Sequence, residues 1–135
     1  MEEIIKPVSK KLLIAELTDD KRLRMTNKSN NQIYIITHHD SPNLMREIGR
    51  LREIAFRAAS GGCGLSMDID EYDTMENAYK QLIVWNPEAE EILGGYRYIR
   101  GTDVEFDQHG HPILATSHMF NFSEKFLKEY LPTTI

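Results

Sequence analysis

The sequence predicts an α+β fold with a central antiparallel hairpin and flanking helices, and three observations carry that expectation. Ile33, Tyr34, Ile35, Ile36 and Thr37 form a β-branched and aromatic run, the composition of a strand. Leu44, Ile48, Leu51, Ile54, Ala55 and Ala58 recur at helical spacing, giving one apolar face. The runs Tyr79–Trp85 and Ile92–Ile99 flank a turn at Asn86, Pro87 and Glu88, which reads as a hairpin.

The remaining elements follow in order. Ser9 is placed to cap a short helix over Lys10–Leu17, with Leu12, Leu13 and Leu17 at helical spacing. Residues 18–31 are polar, rich in Asn, Asp and Lys, and read as an exposed loop. Ser41 followed by Pro42 marks the start of the long helix, and Ser60, Gly61 and Gly62 mark its end. Arg46, Glu47, Arg50 and Glu53 fall mostly on its polar side. Beyond the hairpin, Asp107–Pro112 is a polar turn, Ser117–Phe122 a strand, and Ser123 caps a final helix through Tyr130 that Pro132 stops.

With 135 residues the chain is one domain or part of one, long enough to bury a sizeable core. A net charge of −5 gives no broad basic footprint, and the densest basic stretch, Lys21, Arg22 and Arg24, follows Asp19 and Asp20. Nucleic acid is therefore not an expected partner. The single cysteine, Cys63, cannot close an internal disulfide, which suits a reducing cytoplasm. Neither a secretory signal nor a bilayer-spanning run is visible.

Four carboxylates, Asp68, Asp70, Glu71 and Asp73, crowd into six residues. Such groups stay solvated, bind a cation or pair with arginine. A calcium loop is excluded by Asp73 and Tyr79, which stand where its glycine and bidentate glutamate belong. Arg52 and Arg97 are the available partners. Arg52 and Phe56 are neighbours on one helix face, either a packed phenylalanine under an arginine stem or the wall of a pocket. Gly94 and Gly95 inside a strand point to a bulge or to a close backbone approach, as by a ligand. His38, His39, His109 and His111 lack a zinc ligand set and read as exposed turn residues. No base is paired with Cys63 in the sequence, so it reads as incidental.

Taken in order, these residues resemble a known family. Arg52 and Phe56 on a helix, then Asp68, Asp70, Glu71 and Asp73, then Gln81–Trp85 and the return strand Gly94, Gly95, Tyr96 and Arg97, are similar to the ornithine-lipid and hemolysin-like N-acyltransferases of the GNAT superfamily. Acyl-homoserine-lactone synthases are more distant relatives; they carry a tryptophan where Gly62 stands. Met119–Ser123, Phe126, Leu131 and Pro132 fit the segment that follows in these proteins, so residues 32–135 form the family-like part.

The resemblance implies a partial GNAT-like fold and direct transfer of a fatty acyl group to an amino-acid amine in lipid biosynthesis. The donor would be a thioester on acyl carrier protein, or on coenzyme A, with no covalently bound cofactor and no metal. Asp70, Asp73 and Arg97 are the expected catalytic residues, with the aspartates placing the amino acid or supporting Arg97. Arg52 and Phe56 are the expected substrate-binding residues. Acyl carrier protein and the amino-acid acceptor are the expected partners, in the cytoplasm, with room for membrane-surface contact and for a homodimer. The Glu-Leu-Gly-Arg-type strand of these families has no counterpart before Ile135, so the chain is expected to be an amino-terminal portion, inactive alone. The alternative is a non-catalytic GNAT-like interaction or dimerisation domain.

Overall fold

The computed structural model describes residues 2–25, 30–59, 61, 64–99 and 119–121, with 24–25 and 119–121 described through their backbone alone. Along them run α1 (Lys10–Glu16), a 3-10 turn (Asp19–Lys21), β1 (Arg22–Met25), β2 (Gln32–Ile36), α2 (Pro42–Ala58), α3 (Glu71–Thr74), β3 (Lys80–Asn86), β4 (Glu91–Tyr98) and β5 (Met119–Asn121). The strands form one antiparallel sheet in the order β1-β2-β3-β4-β5. The fold is α+β, as expected.

Side chains alternate between the sheet's two faces. Tyr34 and Ile36 of β2, Ile83 and Trp85 of β3 and Ile92 of β4 join the main core with Leu44, Met45 and Ile48 of α2 and with Val8 and Leu13. Ile33 and Val84 lie in a second, smaller cluster, with Leu82 and Leu93 packed against it. One irregularity in β4 matters for everything below. Val84 pairs with Gly94 but Trp85 pairs with Ile92, so Leu93 is an extra residue without a partner in the ladder. The alternation therefore slips by one, and Arg97, opposite Gln81, shares a face with Ile92, opposite Trp85.

The bulge expected from the two glycines is thus present, and a close backbone approach is made by the neighbouring strand. A Cβ on Gly95 would lie 2.2 Å from the carbonyl oxygen of Leu82 on the neighbouring strand. Gly49 serves a different approach, because a Cβ there would lie 2.6 Å from Ile69 Cγ1. Its absence lets the segment after α2 run back along the helix, where the Asp68 amide donates to the Gly49 carbonyl at 2.9 Å.

Several sequence expectations need correction. Residues 18–31 are not simply a loop, because β1 lies within them and pairs with β2. An edge strand this short and polar has too few alternating positions to announce itself. Neither Ser9 nor Ser41 caps its helix through its side chain. Glu16 caps α2 from a distance, accepting from the amides of Asn43 (3.0 Å) and Leu44 (2.7 Å), where a carboxylate also meets the positive helix end. Ser41 Oγ is occupied with Asp40 and Lys21.

The polar side of α2 is also less exposed than its composition implies. Glu47 and Glu53 are buried, and Ile54 is 40% exposed. Glu47 pairs with Arg50 and accepts from the Val8 amide, while Glu53 pairs with Arg57 and accepts from the Gly64 amide. Within the acidic segment, Asp70 begins the helical turn α3. His39 is exposed as expected, its Nε2 lying 2.7 Å from the Met75 carbonyl. His38 is half-buried, and its Nδ1 is sealed from solvent without a partner. Cys63, Gly62, His109, His111, the turn at 107–112 and the helix expected after Ser123 lie outside the described residues. Among the described residues no helix is long and apolar enough to cross a membrane.

Candidate active site

The second half of α2 places Arg52 beside the start of β3 and the end of β4. The slipped alternation of β4 puts Arg97 on that same side, opposite Gln81. Between the two arginines lies Asp73, with 0% exposure. Its Oδ2 accepts from Arg52 Nη1 at 3.0 Å and from the Asp70 amide at 3.0 Å. Its Oδ1 accepts from Gln81 Nε2 at 2.8 Å and from Arg97 Nη1 at 3.4 Å. A buried carboxylate is tolerated only when paired and hydrogen-bonded in this way.

Local sequence explains why Asp73 sits there. Asp70 and Asp73 form a reciprocal capping box on α3, in which Asp70 Oδ1 accepts from the amides of Tyr72 (3.0 Å) and Asp73 (3.3 Å). Three-residue spacing turns both carboxylates toward the same side, and there Asp70 Oδ1 also accepts from Arg97 Nη1 at 2.6 Å. Burial tends to raise the Asp70 carboxyl, but the hydrogen bond and charge of Arg97, helped by the two amides, outweigh it and hold it below its ordinary value. Burial pulls the Arg97 guanidinium down, and Asp70 and Asp73 more than offset this, holding it above its usual range. The rings of Tyr72 and Tyr79 lie 5.9 and 5.7 Å from the same guanidinium carbon.

Arg52 is 5% exposed and committed inward. Besides Asp73, its Nη2 donates to Gln81 Oε1 at 2.6 Å and its Nη1 to the Asp68 carbonyl at 3.4 Å. Arg97 differs. It is 9% exposed, and among the described residues only its Nη1 makes hydrogen bonds.

Arg52, Phe56, Asp68, Asp70 and Arg97 line one half-open recess, with about 270 Å³ of empty space counting the part open to solvent. Four of the five expected site residues thus border it, and Asp73 stands behind them as the hub. Two participants were not singled out from sequence. Gln81 has a weak signal, a polar residue in register with the buried Ile83 and Trp85. Asp68 was one carboxylate of a cluster, with nothing local to separate it from the others. Burial pushes its carboxyl above the ordinary value; Arg52 opposes this, while Glu53, Asp70 and Asp73 add to it. Among the described residues no group of three or more His, Cys, Asp and Glu side chains is arranged to hold a metal ion.

The acetyltransferase (GNAT) domain family matches residues 51–131, a span that contains every residue of this recess. The chain belongs to the GNAT family. This GNAT domain is 83% identical over its 135 residues to a glycine N(alpha)-acyltransferase of Bacteroides thetaiotaomicron, covering 100% of the chain and 40% of that relative. It is 75% identical over the same 135 residues to a glycine N(alpha)-acyltransferase of Phocaeicola vulgatus, covering 41% of it. The chain thus spans about 40% of the length of the curated relatives it matches. No solved structure matches this GNAT domain significantly.

Proposed function

We propose that this GNAT domain forms the acceptor-binding part of an N-acyltransferase that moves an acyl group from a thioester to the amino group of glycine. The observation that carries the reading is Arg97, a guanidinium fixed by Asp70 and Asp73 at the border of a small recess. A planar, permanently charged donor fork is suited to a carboxylate. The name of both relatives, glycine N(alpha)-acyltransferase, at 83% and 75% identity, supports glycine rather than ornithine as acceptor.

In this reading Asp73 and Arg52 position Arg97, and Asp70 fixes its rotamer while bordering the acceptor. Phe56 walls the recess. Acyl carrier protein as the carrier of a fatty acyl donor, with the product entering lipid biosynthesis, rests on the resemblance of Arg52, Phe56, Asp70, Asp73 and Arg97 to the lipid-forming N-acyltransferases. The test is to supply the protein, as its gene encodes it, with one fatty acyl group on acyl carrier protein or on coenzyme A, together with single amino acids. Mass spectrometry is expected to find N-acylglycine, formed faster from the carrier-protein thioester. Transfer to ornithine or lysine in preference to glycine overturns the acceptor, and no transfer to any amine overturns the activity.

A further inference from the structure

We propose that Asp68 receives the ammonium of the acceptor and removes a proton from it, a role that rests on the N-acyltransferase reading above. Asp68 is held at both ends of its peptide unit and left open at its side chain. Its amide donates to the Gly49 carbonyl at 2.9 Å and its carbonyl accepts from Arg52 Nη1 at 3.4 Å. Among the described residues its carboxylate has no hydrogen-bond or ion-pair partner. Asp70 and Asp73, by contrast, are occupied by Arg97, Arg52, Gln81 and backbone amides. The recess is thus bordered by the cation Arg97 and by Asp68, a carboxylate with neither oxygen partnered among the described residues. An amino-acid zwitterion presents the complementary pair, a carboxylate and an ammonium one carbon apart.

The charged groups facing Asp68 are Arg52 and Glu53 of α2, Asp70 and Asp73 of α3, and Arg97 of β4 across the recess. Partial burial, opposed by Arg52 and helped by Glu53, Asp70 and Asp73, makes its proton affinity higher than that of an exposed aspartate, which favours a proton acceptor. The step balances simply. Asp68 takes one proton from the ammonium, and the neutral nitrogen attacks the thioester carbonyl carbon. The C–N bond forms and the C–S bond breaks, and the departing thiolate takes the second proton that the nitrogen loses. Asp68 then returns its proton to solvent.

The experiment compares wild type, Asp68→Asn and Asp68→Ala in the protein as its gene encodes it, with glycine limiting and the acyl thioester saturating. Wild-type kcat/KM is expected to be level across neutral pH, because carboxylate plus ammonium is equivalent to acid plus free amine. Asp68→Asn is expected to fall by about 10²-fold or more at pH 7 and to rise about tenfold per pH unit as free amine forms. Formate is expected to restore part of the Asp68→Ala rate, a response that a merely structural role does not give. If wild type makes N-acylglycine and Asp68→Asn keeps its rate and its level profile, this role is wrong and the functional reading stands. A wild type that acylates no amino acid overturns the functional reading and this role with it. Should Asp68→Asn fail to fold, the formate response of Asp68→Ala decides in the same sense.

Discussion

Ile92 and Arg97 lie five residues apart on one strand yet face the same side of the sheet. Strict alternation forbids this, and the extra residue at Leu93 permits it. The core residue and the site residue are thus linked by one bulge: Ile92 anchors the hairpin under α2, and Arg97 emerges beside Arg52 and Asp73.

Asp73 is the member whose loss should cost most. Asp73→Asn keeps the shape but leaves Arg52 and Arg97 buried without their shared counter-charge. Breaking a buried ion pair from one side costs about 3–5 kcal/mol. Urea unfolding is expected to show a loss of that order, and a change below about 1 kcal/mol would mean that the hub is not structural.

Asp70 should make stability depend on acid pH. Its folded-state value is held down, so its contribution is fully present above the unfolded value of about 3.9 and is lost as pH falls through the lower folded value. Asp70→Asn is expected to flatten that acid limb. Asp68 has the opposite sign: its raised value means that its charged form opposes folding once pH rises above it. Thermal melts at pH 7 should find Asp68→Asn at least as stable as wild type, and a clear loss would contradict its unpartnered state.

Gly95 and Gly49 should respond differently to alanine. At Gly95 the new methyl meets a backbone oxygen that cannot move without parting β3 from β4, so a cost at the upper end of about 1–3 kcal/mol is expected. At Gly49 the obstacle is the Ile69 side chain, and alanine regains about 1 kcal/mol of helix propensity. Equilibrium unfolding should rank Gly95→Ala clearly below Gly49→Ala, and the reverse order would contradict the packing.

Glu16 should matter to a helix it does not belong to. Glu16→Ala removes the carboxylate that accepts from the Asn43 and Leu44 amides, at an expected cost of about 1–2 kcal/mol. Amide exchange should accelerate at those two positions first, and unchanged protection there would show that α2 is capped otherwise.

Much of this was legible in the sequence because it depends on local spacing. The 3.6-residue period of α2, the turn after Asn86 and the three-residue separation of Asp70 and Asp73 each determine a geometry over a few residues. What escaped depends on distant partners. Glu47 and Glu53 look like surface residues until the Val8 and Gly64 amides reach them. Ser41 looks like a cap until Glu16 takes that place. Asp68 stands out by a carboxylate without a partner among the described residues, and no pattern in a sequence marks that.

The most direct test of the proposed contact between Arg97 and the acceptor's carboxylate needs no mutation. Acyl transfer to glycine and to glycinamide should be compared, at equal thioester and with free amine concentrations matched. The account predicts a kcat/KM preference for glycine of about ten- to a hundredfold, the worth of a charge-assisted hydrogen bond. Equal use of glycine and glycinamide would contradict it.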